Sequence, residues 1–495
     1  MRNLLTKQEH RWFYFIEKLT NNRDWMILAD LSALLDCSKR ILKMDIRYLN
    51  ENFDDFIIHT SNKGTKIEYN PNRSFKTFCQ KLLMISDSYR LLEMIFLNEN
   101  IKVKDISKHL DISLSTLYRM IDQLNSKTED EFGFIIETGP CRLAGDENRI
   151  RLFFYTYFLE KYQPNNWPFD EDEMKTIHDL VQEIIQIKKL PYDFVYFNIV
   201  KIIALVNYTR FKNGHTSSIE ATEDSLTTLL VNIAKENGLH DKIENTFNRP
   251  FNHEFILQIL HPLIHPDIYQ THLEFNNALT KDNELVQKVE ALKDILITIA
   301  EKHNLSIPNL EMLLFVVYSA ASLEFTQPQS RHILYDQNGV FTKKIKNKFP
   351  FFYQNLRDGM EAYRAIMGKP ITDDGINFYM FMVISWWGNL IAQLHQGIYK
   401  IRVLLVSDRH QKHAQMMKEF IRFEFGEQLN IEMTNSIYLD SEIADLSDYD
   451  LIISSYFDNR LTAYRSIYIS DIPSSENLEL IQCQIDEILE NRLNQ

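Results

Sequence analysis

Glycine and proline are scarce in this chain, 13 of each in 495 residues. That leaves little room for long flexible linkers or polyproline segments. Cysteine is scarcer still. Its four copies, at positions 37, 79, 141 and 483, are spaced neither as a disulfide framework nor as a zinc site. Reduced thiols, and so a cytoplasmic protein, are expected. Long apolar runs are also missing. The most apolar stretch, YMFMVISWWGNLIAQL at 379–394, falls short of the roughly 18 residues that suggest a membrane span, so it reads as a buried helix. The first residues include Arg2, Lys7, Glu9 and Arg11 and show no apolar leader. No GxGxxG, P-loop, HExxH or GxSxG occurs, so neither an enzyme nor a bound cofactor is expected. HPLIHPDIYQTH at 261–272 gathers histidines, but Pro262 and Pro266 interrupt any helix that would align them as metal ligands, and it reads as a loop.

What is present describes an ordinary globular protein of about three to five domains. Hydrophobic residues make up 45% and charged residues 25%. The 32 Phe and 23 Tyr beside so few glycines point to a mainly helical chain. The net charge of −14 is unfavourable for nucleic acid taken over the whole chain, but residues 1–150 hold 22 Lys and Arg against 22 Asp and Glu. The whole excess falls on the remainder, and attraction to DNA depends on local positive faces.

Two stretches resemble each other at an offset of 75: ADLSALLDCSKRILKMDIRYLN at 29–50 and KDISKHLDISLSTLYRMIDQLN at 104–125. Asp36 meets Asp111, Ser38 meets Ser113, Leu42 meets Leu117 and Leu49 meets Leu124. Repeated register reveals a structural unit. Each copy reads as a helix-turn-helix, with Asp111 and Ile112 forming the later turn. Ser38 and Ser113 sit where N-caps belong. Leu42, Ile46 and Leu49, and Leu117, Ile121 and Leu124, recur at i, i+4 and i+7 as an apolar stripe. The opposite face of the earlier helix carries Arg40, Lys43 and Arg47, beside Lys39. That of the later helix carries Ser115, Tyr118, Arg119 and Asp122, with Thr116 at its edge. A recognition helix needs this division, because one face anchors it and the other reaches bases and phosphates. A solvated helical hairpin would show the same face once; two copies in one register favour duplex DNA.

FIIHTSNKGTKIEY at 56–69 reads as strand, turn, strand, and FGFIIETGPCRLA at 132–144 does the same around Gly139 and Pro140. These are wings, and Lys63 and Lys66 are candidates for phosphate contact. GDENRIRLFFYTYFLEKYQPNNWPF at 145–169 reads as a closing helix that ends before Pro164. Helical bundles are expected at 170–285, with Gly214 stopping one helix, and at 286–397. In the tail, apolar strands near 401–408, 430–439, 449–455 and 466–470 alternate with helices at 413–426 and 476–493, which implies a parallel sheet.

This order resembles the Mga/AtxA family of transcriptional regulators from Gram-positive bacteria. The marks are the second helix-turn-helix, GDENRIRLFF running into Trp167, Pro168 and Phe169, and YDLIISS in the tail. The resemblance implies a mainly α, multidomain chain: winged helix-turn-helix modules at 1–70 and 71–169, bundles similar to PTS regulation domains (PRDs) at 170–285 and 286–397, and an α/β tail at 398–495 similar to the EIIB component of the sugar phosphotransferase system. It further implies a DNA-binding regulator, usually an activator, that dimerises partly through the tail and is tuned by histidine phosphorylation from PTS proteins. Where EIIB carries its phosphorylated cysteine this chain has SDRHQKHAQMM, without one. The regulatory histidines fall near Asn198 and Trp386, neither of them histidine; His215 and His395 are the nearest candidates. A PRD-containing antiterminator of the BglG type would need an all-β RNA-binding domain where the helix-turn-helix repeat stands. A PTS phosphotransfer component would need the missing cysteine.

Overall fold

The computed structural model describes residues 2–22, 24–162, 166–188, 194–217, 225–261, 269, 271–322, 332–397, 401–426, 429–435, 446–457 and 459–493. They form two compact units, one of Met1–Ala278 with Ala321–Gln337, the other of Leu279–Ala320 with Asn338–Gln495.

The first unit begins with α1 (Lys7–Asn21). Its start is fixed by a capping box: the Thr6 hydroxyl accepts from the Glu9 amide at 3.3 Å, and the Glu9 carboxylate from the Thr6 amide at 2.8 Å. Helices α2 (Leu28–Leu34) and α3 (Lys39–Asn52) follow, then the antiparallel pair β1 (Phe56–Ser61) and β2 (Gly64–Tyr69). The second module adds α4 (Phe75–Ile85), α5 (Asp87–Leu97), α6 (Val103–His109), α7 (Leu114–Phe132), β3 (Phe134–Thr138), β4 (Cys141–Gly145) and α8 (Glu147–Lys161).

The offset of 75 holds at the level of single hydrogen bonds. Asp36 and Asp111 both take left-handed backbone, with φ of 46° and 54°, which aspartate tolerates better than most residues. The Cys37 amide reaches the Ser32 carbonyl at 3.0 Å, and the Ile112 amide reaches the Ser107 carbonyl at 3.1 Å. These bonds end the first helix of each pair and turn the chain into the second. The expected stripes, Leu42, Ile46 and Leu49 on α3 and Leu117, Ile121 and Leu124 on α7, are buried.

The aromatic residues of α8 fill the core, Phe154 stacking on Phe96 with centroids 4.1 Å apart. Then come α9 (Glu171–Lys188), α10 (Phe194–Lys212), α11 (Ser225–Glu236), α12 (Leu239–Phe247), α13 (His253–Leu260) and α14 (His272–Leu279). One apolar core runs from the modules into this bundle. Trp167 is buried beneath the Lys201 ammonium, while Pro164 lies outside the described residues. Gly214, with φ 88°, follows the end of α10.

Residues 321–337, which the sequence assigned to a second bundle, group with the first unit. Glu160 on α8 supplies the reason. Its carboxylate accepts from the Ile333, Leu334 and Tyr335 amides at 2.6, 2.8 and 2.8 Å. Ile333 and Leu334 are fully buried there.

The second unit contains α15 (Asn283–Lys302), all but the last residues of α16 (Leu310–Ser322), all but the first residue of α17 (Gln337–Lys348), α18 (Pro350–Ile366), α19 (Asp373–Trp386) and α20 (Leu390–Gly397). Its tail comprises β5 (Ile401–Ser407), α21 (Gln411–Phe425), β6 (Leu429–Asn435), β7 (Leu451–Ser454), β8 (Ser466–Tyr468) and α22 (Ser475–Leu493). The strands form a four-stranded parallel sheet in the order β6-β5-β7-β8. The near-continuous burial of β5 and β7 is what a sheet covered on both faces requires.

Candidate nucleic-acid interface

Helix α3 is positioned from beneath by one buried carboxylate. Asp45 accepts from Arg11 Nε at 2.6 Å, Arg11 Nη2 at 3.0 Å and Trp12 Nε1 at 2.8 Å. These bonds fix the rotation of α3 against α1, with its polar face outward. The Ser38 hydroxyl caps the helix by accepting from the Ile41 amide at 3.3 Å. Lys39, Arg40, Lys43 and Arg47, all exposed, line with Met44 a shallow concavity of about 430 Å³. Within it Arg47 pairs with Glu51 at 2.8 Å, a solvent-exposed contact that costs little to break. In the wing, Lys63 is exposed at the turn, whereas Lys66 is half-buried opposite His59.

Helix α7 presents hydroxyls rather than cations at its start. The Ser113 hydroxyl accepts from the Thr116 amide at 3.1 Å and lies 2.9 Å from both Ser115 Oγ and Thr116 Oγ1. Ser115, Tyr118 and Arg119 are exposed and Thr116 is half-buried. More of this module's positive charge sits one helix earlier. Lys104 and Lys108 on α6, with Lys102 at its N-cap, are exposed. Helix α2, LADLSAL, has no cation. The sequence reading considered only the second helix of each pair and missed these lysines, although KVKDISKH displays them.

The histidine candidates fall in different settings. His215 Nε2 lies 2.7 and 2.9 Å from the two oxygens of the buried Glu99 carboxylate. The His215 carbonyl accepts from Arg151 Nη2 at 3.1 Å. His395 belongs to α20, but its side chain lies outside the described residues. Asn198 is buried on α10 and Trp386 half-exposed on α19. Of the 261–272 cluster, residues 262–268 and 270 lie outside the described residues. In the tail, the loop after β5 is tied to its own neighbours. The Ser455 hydroxyl donates to Asp408 at 2.9 Å, Arg409 pairs with Asp471 at 2.8 Å, and His413 Nε2 lies 2.9 Å from the Asp471 carbonyl.

Comparison with known proteins agrees with this arrangement. Residues 6–65 match the M protein trans-acting positive regulator (MGA) HTH domain, 71–158 the Mga helix-turn-helix domain, and 172–390 the M protein trans-acting positive regulator (MGA) PRD domain. The chain is 25% identical over 98% of its length, and 99% of the relative's, to a Streptococcus pneumoniae protein described as a trans-acting regulator. It is also 25% identical to two Bacillus anthracis proteins. One is the capsule synthesis positive regulator AcpA, over 40% of this chain and 41% of that protein. The other is the capsule synthesis positive regulator AcpB, over 35% and 36%. With matches to all three family domains in order, the chain belongs to the Mga/AtxA family of PRD-containing transcriptional regulators.

Proposed function

We propose that this regulator activates transcription by binding duplex DNA through both winged helix-turn-helix modules. The observation that carries the reading is the repeated polar face: α3 and α7 leave the same turn, bury the same stripe and expose the opposite side. On α3 that side is a basic concavity suited to phosphates and to guanine edges. In the second module the exposed groups are the α7 hydroxyls and Arg119, with the Lys102, Lys104 and Lys108 cations at and just before α6. Acting on a bacterial chromosome places the chain in the cytoplasm. The relatives named as positive regulators support activation over repression.

The parallel sheet of the tail supports an EIIB-like assembly domain that joins two copies, so that four modules span a long site. The PRD match supports a link to PTS phosphocarrier proteins, with His215 and His395 as the candidate acceptors. At His215, Glu99 holds Nε2, which leaves Nδ1 for a phosphoryl group.

Salt-dependent binding to duplex DNA tests the core of this reading. The unsubstituted chain should bind with a steep salt slope, and Arg40→Ala/Lys43→Ala and Arg119→Ala should each weaken it. Loss in one variant alone assigns DNA contact to that module. No duplex binding at low salt, with a shift of hairpin RNA instead, would replace the DNA reading with an antiterminator.

A further inference from the structure

A two-stranded hairpin is at best marginally stable by itself, so each wing must be held by something else. In the first module Ile58 stands opposite Ile67, and its own N–H and C=O go to Asn50 rather than into the β1–β2 ladder. The side-chain oxygen of Asn50, in the last turn of α3, accepts from the Ile58 amide at 2.8 Å, and Nδ2 donates to the Ile58 carbonyl at 3.0 Å. In the second module Ile136 stands opposite Leu143. Asn125 on α7 accepts from the Ile136 amide at 2.7 Å and donates to its carbonyl at 3.0 Å. A primary amide offers one donor and one acceptor side by side, as a peptide group does. Each asparagine therefore stands in for a neighbouring strand. On the far edge, Met26 and Thr65 exchange backbone bonds at 2.9 and 2.8 Å, and the Asn100 amide donates to the Cys141 carbonyl at 2.8 Å. Both hairpins are thus held on one edge by the recognition helix and on the other by the chain leading into the first helix of the pair. Asn50 and Asn125 are themselves 75 residues apart, the offset of the repeat.

The wings differ in charge. The first carries Lys63 and Lys66, while the second carries Arg142 already paired with Glu137 at 2.6 Å. We infer that Asn50 and Asn125 are positioning residues that lock wing to recognition helix, and that Asn50 thereby makes the wing lysines part of the duplex-binding surface. This rests on the DNA reading above. The asymmetry separates positioning from mere folding. The two clamps have the same bonds, so a structural role would cost both modules alike, whereas a role through wing cations concerns the first alone.

The test uses the full chain carrying Asn50→Leu, Asn125→Leu, or Lys63→Ala/Lys66→Ala, with Asn50→Asp as the milder variant should leucine prevent folding. Asn50→Asp keeps the acceptor for Ile58 N–H and sets an oxygen against the Ile58 carbonyl. Asn50→Leu should weaken duplex binding about three- to tenfold and flatten the salt slope by about one to two, while Asn125→Leu should change affinity less than about twofold. Adding Asn50→Leu to Lys63→Ala/Lys66→Ala should cost little more, since both act through the same contacts. Equal losses from the two asparagines, or fully additive losses, would overturn the inference. If the unsubstituted chain binds no duplex, the DNA reading fails on its own, and hydrogen exchange over 56–61 and 134–138 decides the clamp. Faster exchange at an unchanged melting temperature upholds it; unchanged exchange refutes it.

Discussion

Arg210 and Glu147 join the second module to the first bundle. The guanidinium on α10 donates from Nη2 at 2.8 Å and from Nε at 3.1 Å to the carboxylate that opens α8. Arg151 donates to the same carboxylate at 2.8 Å and to the Gln258 carbonyl on α13 at 2.9 Å. Arg210 also donates to the Leu143 carbonyl on β4 at 3.2 Å. One acidic residue therefore lets two buried arginines tie the wing strand, the closing helix and two bundle helices together.

Glu147→Gln should destabilise the chain strongly, because two buried guanidinium groups lose their counter-charge, a change worth roughly 3–5 kcal/mol. Burial pushes the Glu147 carboxyl up, but the hydrogen bonds and charges of Arg210 and Arg151 outweigh it and hold it below the ordinary value of 4.5. A depressed folded-state pKa gives stability that is present above the unfolded value and lost as pH falls through the folded one. Urea midpoints should therefore drop between neutral pH and pH about 3.5 in the unsubstituted chain, and drop less in Glu147→Gln. Equal acid sensitivity in both would show that other carboxylates dominate.

Asp45→Asn should loosen α3 from α1. The amide retains one oxygen for bonds that now use both carboxylate oxygens, and its NH₂ group faces donors on Arg11 or Trp12. The cost is about 2–3 kcal/mol where a buried, charge-assisted set is broken. Thermal melts should show it, and Trp12 fluorescence should report the loosening locally.

The two serine caps give a smaller, matched effect. Ser38→Ala and Ser113→Ala each remove one acceptor for a backbone amide, at Ile41 and Thr116. About 1 kcal/mol is expected from each, and a glycine in the same place should cost only a few tenths. Chemical denaturation of the four variants checks the ranking.

Most of the local architecture was legible because it is written in short-range pattern. The stripe spacing, the two serine caps and the strand-turn-strand pairs all depend on residues within about one helix length of each other. The alternation of apolar runs and helices in the tail announced its parallel sheet for the same reason. What escaped is long-range. Nothing in Glu160 signals that it will receive three amides from residues 333–335, and nothing in Asn50 signals Ile58 until the helix and strand are side by side. The lysines of α6 are visible in the sequence, but an expectation drawn from the second helix of each pair passes over them.

Gly64→Ala should damage the first wing from its turn. Gly64 sits at φ 128°, and an added Cβ would lie 2.3 Å from the Met26 carbonyl oxygen. That oxygen accepts from the Thr65 amide at 2.8 Å, so the substitution presses on the bond that holds the far edge of β2. A cost above about 1 kcal/mol is expected, since strain adds to the loss of the left-handed glycine conformation. The Met26 and Thr65 amides should exchange faster with solvent, while the second wing stays unchanged.

Glu160→Gln should release residues 333–335 from the first unit. The glutamine oxygen can still accept from two amides, but its NH₂ group meets the third donor, and Gln80 Nε2 continues to hold the Glu160 carbonyl at 3.1 Å. Leaving a buried amide unpaired costs about 1–3 kcal/mol. Arg2 Nε donates to the Leu334 carbonyl at 3.2 Å and Tyr335 meets the Phe75 ring edge-on at 6.1 Å, so the N-terminal turn ahead of α1, and α4, also lose a support. Hydrogen exchange over 332–337 should rise well before global unfolding. A rise confined to that segment would mark a local latch, whereas no change would show that burial of Ile333 and Leu334 holds it without the carboxylate.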